Sequence, residues 1–221
     1  MIADSTVLFA LDAEGLSYGD TDRRAAYLEA CYPHDSATDA ADMGRSQSAC
    51  LLFARGCLSR QRRADGTPEI PGQITWRGGP FDALRTPYAK TIGQIEVLLY
   101  EWAKQRGHLH AALWQGDATA TGAEIPPEIV PGDIVVVGSL SVPPQIEPHR
   151  TTWARTWGGV THGFVVTGVS GREVESVDGG QTDERNSYKP TAIRARSRRL
   201  ERKDSGWWLG DRRLNYLVRV P

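Results

Sequence analysis

From residue 132 onward the chain changes to strand-like patterns, and this change limits the fold more than any other feature of the sequence. GDIVVVGS (132–139) is a continuous β-branched run, HGFVVTGV (162–169) is a second, and REVESVDGG (172–180) alternates apolar and polar residues. Ser170-Gly171 predicts a tight hairpin turn between the latter two. TAIRARSRRLE alternates apolar or small residues with Arg, and WWLGDRRLNYLVRV closes the chain as one or two further strands.

The first half predicts helices. DTDRRAAYLEACY (20–32) reads as a short helix capped by Asp20, with Ala25, Leu28 and Cys31 toward its apolar side. SQSACLLFARGCLSRQ (46–61) reads as another, capped by Ser46 or Ser48 and ended by RRADGTPEIPG. KTIGQIEVLLYEWAKQRG (90–107) places Ile92, Ile95, Leu98, Leu99 and Trp102 at helical spacing, with Gly107 as its stop. Residues 33–45 and 115–131 read as connections, and no internal repeat is visible. Helices first and strands second make an α+β plan, with N-terminal helices packed on a C-terminal antiparallel β-sheet. The expected organisation is one domain over residues 1–221, helical to about residue 115 and sheet from about residue 130.

Composition excludes several classes. The formal net charge of −1 supplies no global field for nucleic acid or an anionic membrane. ARSRRLERK and DRR crowd basic residues near the C-terminus, a pattern that fits the wet side of a strand pair, with substrate anchoring as the minor alternative. No apolar run reaches the roughly 20 residues that span a bilayer, and MIADSTVLFALDAEG lacks the basic region and cleavage site of a secretory signal. Three cysteines are too few, and odd in number, for a disulfide framework, which points to a reducing compartment. The expected location is the cytoplasm as synthesised, with export only by a route that needs no cleavable signal.

One cysteine has the setting of a nucleophile. With Ser48 as the cap, Cys50 falls in the first turn of its helix, where free backbone amides and the helix dipole favour a thiolate. Cys57 lies two turns along the same apolar stripe and reads as a core thiol, as does Cys31. His162 opens a strand, and a thiol nucleophile needs such a base, itself oriented by a third group. A hairpin turning near 170–171 pairs residues summing to about 341, so His162 faces residue 178 or 179. Asp178 is thereby the expected orienting group, with Gln181 the alternative if Asp178 points away. His108-x-His110 has no further ligands at metal spacing, so neither a metal nor another cofactor is expected. His34 and His149 read as solvated loop residues. Trp153 and Trp157, in the long segment 139–160, read as a cleft wall or as cover for a sheet edge.

SQSACLLFARGCL, PGDIVVVG, THGFVVTGV and VESVDGGQ follow one another in an order that resembles the papain-like cell-wall cysteine peptidases and amidases of the NlpC and CHAP type. In that superfamily a cysteine begins a helix, a Gly-Asp strand enters the sheet, a histidine heads the next strand, and a polar residue follows. The match runs from residue 46 to 181 and implies a papain-like fold, with Cys50 as nucleophile, His162 as base and Asp178 or Gln181 as orienter. It also implies an oxyanion-hole tyrosine, for which Tyr32 is the candidate. The chain departs from the pattern in having Ala49-Cys50-Leu51-Leu52 where Asp-Cys-Ser-Gly is usual, and in a longer insertion before His162. The activity implied is cleavage of an amide bond of peptidoglycan peptide, as endopeptidase or amidase. The chain would then be a delivered antibacterial effector or a phage lysin, its delivery or immunity partner unspecified. The rival expectations are a thiol transferase, deamidase or deconjugating hydrolase acting on a cytosolic substrate, and a non-enzymatic domain of a phage or secretion assembly.

Overall fold

A computed structural model describes residues 2–32, 40–41, 49–60, 99–100, 103–112, 125–138, 162–203 and 206–220. Its helices are α1 (Ile2–Asp12), α2 (Arg24–Cys31) and α3 (Cys50–Ser59), and residues 99–100 and 103–106 are also helical. The strands are β1 (Leu109–Ala112), β2 (Ile134–Gly138), β3 (His162–Ser170), β4 (Glu173–Asp183), β5 (Lys189–Lys203), β6 (Gly206–Leu209) and β7 (Arg212–Val218).

Every pairing is antiparallel, and the sheet closes on itself. Strand β7 pairs with β2 along one edge, while its other edge is shared by β6 at its start and β1 at its end. The ring β2–β3–β4–β5–β6–β7 is therefore a closed six-stranded barrel, with β1 as an added strand. This corrects the expected architecture. The described chain is mostly sheet with a few short helices, and it is not a papain-like α+β arrangement of helices laid on a sheet.

The reason lies in the two faces of the strands. An open sheet with one covered face needs only one apolar set, but here both sets are apolar. Val135, Val137, Phe164, Val166, Val174, Leu200, Leu209, Leu214 and Leu217 share one buried cluster with Trp207, which fills the barrel. The alternate residues, Ile134, Val136, Val165, Val177, Ile193, Tyr216 and Val218, belong to a second cluster shared with the helices. Register shifts between Val136 and Val137, between Val166 and Gly168, and between Asp178 and Gln181 add the bends that closure requires.

Local expectations fare unevenly. The β3–β4 turn is Gly171-Arg172, with Ser170 paired to Glu173 and Gly171 at φ 59°, so it lies one residue later than expected. Helix α2 begins after Arg23 rather than Asp20, whose carboxylate instead accepts from the amides of Asp22 and Arg23. Its buried face is Tyr27, Ala30 and Cys31, while Ala25 is exposed. Helix α1 was not anticipated, and β1 falls within the stretch expected to be helical. Most of the expected helix 90–107 lies outside the described residues. Among the described residues no helix is long and apolar enough to cross a membrane.

Candidate active site

Helix α3 packs between the barrel and the other helices, and its described side chains are buried all round rather than along one stripe. Its N-cap is Ala49, which makes no side-chain cap hydrogen bond; Ser46 and Ser48 lie outside the described residues. Cys50 is thus the first helical residue, where the backbone amides of the opening turn have no intrahelical acceptor.

Two glycines bring that turn close to the barrel. A Cβ on Gly163 would run into Cδ2 of Leu51, and one on Gly179 would stand 2.6 Å from both the Ala49 carbonyl oxygen and Phe53 Cβ. Each glycine follows a site residue, His162 on β3 and Asp178 on β4. The missing side chains let the helix start lie close against these strands.

His162 Nε2 lies 2.6 Å from Asp178 Oδ2, and Cys50 is near enough to act on the imidazole by hydrogen bond and by charge. With Nε2 given to the carboxylate, Nδ1 is the nitrogen left for the thiol. Cys50, His162 and Asp178 are all buried. Burial alone would lower the His162 pKa, but hydrogen bonds to Asp178 and Cys50 outweigh it and raise the value to about 9. Burial likewise works to raise Asp178, yet the bond from His162 and the charge of Arg198 hold its carboxyl below the usual range.

Asp178 has two further partners. Ser176 Oγ donates to its Oδ1 at 2.6 Å. Arg198 donates from one terminal nitrogen to Oδ1 at 3.1 Å and to Ser176 Oγ at 2.7 Å, and from the other to Oδ2. The guanidinium lies 4.3 Å from the centre of the Phe164 ring, which in turn neighbours the His162 imidazole. Neither Ser176 nor Arg198 was singled out from the sequence. The signal was present as the arginine alternation of TAIRARSRR, which places Arg198 on the strand beside β4.

The expected residues divide clearly. Cys50, His162 and Asp178 come together, in a register slightly different from that expected. The pairs nearest the site sum to 342, as in Val165 with Val177, so His162 continues toward Gly180 and reaches Asp178 diagonally. Gln181 does not face the histidine; its amide oxygen accepts from Arg196 at 3.0 and 3.1 Å. Tyr32 is buried at the end of α2, with its ring edge-on to Tyr27 at 6.5 Å. Cys31 and Cys57 are buried and in no disulfide, and burial pushes the Cys57 pKa up. Trp153, Trp157, His34 and His149 lie outside the described residues. Among the described residues no three His, Cys, Asp or Glu side chains gather as a metal site.

A thiol beside an imidazole that is held by a carboxylate can exist as a thiolate–imidazolium pair, and that pair can perform nucleophilic and acid–base chemistry. Comparison of the chain with protein-family models, with curated proteins and with solved structures gives no match.

Proposed function

We propose that the protein is a cysteine hydrolase that cleaves an amide bond, with Cys50 as nucleophile, His162 as proton carrier and Asp178 as orienter. The observation that supports this most is the continuous chain of contacts from Cys50 to His162 to Asp178 at the start of a helix. The Cys50 thiolate attacks the amide carbonyl carbon, forming a C–S bond as the π electrons move to oxygen. The opening amides of α3, beside Cys50, are the donors proposed for this oxyanion. Collapse breaks the C–N bond, and the imidazolium gives its Nδ1 proton to the leaving amine. Water then attacks the thioester and passes a proton to Nδ1. The C–S bond breaks, the acid departs and the thiolate returns.

For the substrate we propose the peptide portion of peptidoglycan, cleaved as by an endopeptidase or amidase. This part rests on the order of the four sequence segments, and so on the resemblance in motif rather than on the barrel. Purified protein should release soluble fragments from isolated sacculi, and Cys50→Ala should abolish release, a loss of at least about a thousandfold. Undiminished release by Cys50→Ala sinks the assignment. If sacculi stay intact while a cytosolic isopeptide or acyl substrate is cut in a Cys50-dependent way, the chemistry stands and the substrate does not.

A further inference from the structure

The arginine behind the triad has no role in the chemistry described so far. The charged and titratable groups that meet here come from four elements: Cys50 from α3, His162 from β3, Asp178 from β4 and Arg198 from β5. Ser176 completes the polar set. Asp178 is fully buried, and its two oxygens take one bond from His162, one from Ser176 and two from Arg198. The carboxylate cannot turn without breaking at least one of these bonds.

Counting charges separates two designs. If Asp178 were the sole neighbour of His162, a buried carboxylate would take the imidazolium as its own countercharge, and the thiol could keep its proton. With Arg198 already paired to Asp178, that negative charge is balanced beforehand. A proton on His162 then needs a second anion, and the Cys50 thiolate is the one in contact.

We propose that Arg198 is a positioning residue for the nucleophile, acting through Asp178: it fixes and neutralises the carboxylate, so that the His162 imidazolium is balanced by the Cys50 thiolate. This inference rests on the hydrolase reading and goes beyond it, since a catalytic triad alone requires no cation behind its carboxylate.

The test is the ultraviolet absorbance of the Cys50 thiolate at neutral pH, taken on the full chain as the difference from Cys50→Ala. Wild type should show the thiolate, and His162→Ala should lose it. Arg198→Met should lower the thiolate-to-thiol ratio that the absorbance reports about tenfold, equivalent to one pKa unit. Arg198→Lys, which keeps the positive charge, should keep most of it. A retained thermal transition shows that each variant is folded; if Arg198→Met fails to fold, Arg198→Gln serves as the neutral variant. A neutral variant that keeps the wild-type thiolate overturns the role of Arg198, and so does a lysine variant that loses as much as methionine. Absence of a His162-dependent thiolate in wild type overturns the hydrolase reading itself, and so is distinguishable from either.

Discussion

At the scale of single residues, the chemistry depends on a proton held by His162. Its pKa rises from 6.5 to about 9 because the bonds to Asp178 and Cys50 outweigh burial. A raised value means that the folded state binds the proton more tightly than the unfolded chain. The resulting stabilisation is fully present below pH 6.5 and is lost as the pH climbs through about 9. Urea unfolding should show wild type losing stability as the pH climbs through about 9, relative to His162→Ala measured the same way. Parallel curves for the two proteins would contradict the linkage. Asp178 works in the other direction: its lowered pKa stabilises above the ordinary carboxylate range and ceases to do so as pH falls.

At the scale of elements, the approach of α3 to β3 and β4 makes the contact possible. Gly163 and Gly179 clear the space, but they differ in what a methyl group would meet. At Gly163 the obstacle is the end of the Leu51 side chain, which can turn aside. At Gly179 it includes the Ala49 carbonyl, which belongs to the start of the helix. Gly179→Ala should therefore cost about 1–3 kcal/mol and displace Cys50, while Gly163→Ala should cost less. Thermal unfolding together with the thiolate absorbance will separate them; equal and small effects at both positions would refute the packing argument. Much of this level was legible in the sequence. A cysteine at a helix start and a histidine at the head of a strand are local patterns, and hairpin arithmetic brought Asp178 within reach despite a turn misplaced by one residue. Arg198 escaped notice because a strand of alternating arginines looks the same whether its inner residues meet water or a buried carboxylate.

At the scale of the whole molecule, the sequence concealed the closure of the sheet. Alternation along a strand tells how many faces it has, but curvature comes from bulges and from the pairing of β7 with both β2 and β6, contacts between segments far apart in the chain. The run IVVVG, buried at every position, was the available clue that both faces are covered. Closure has a consequence for the chemistry, since Cys50, His162, Asp178 and Arg198 meet only in the folded barrel with α3 docked upon it. The measurement that tests this most directly is the titration of the His162 imidazole by nuclear magnetic resonance in wild type and in Cys50→Ala. The midpoint should be about 9 in wild type and clearly lower when the thiol is removed. A wild-type midpoint at the ordinary value near 6.5, unmoved by Cys50→Ala, would contradict this.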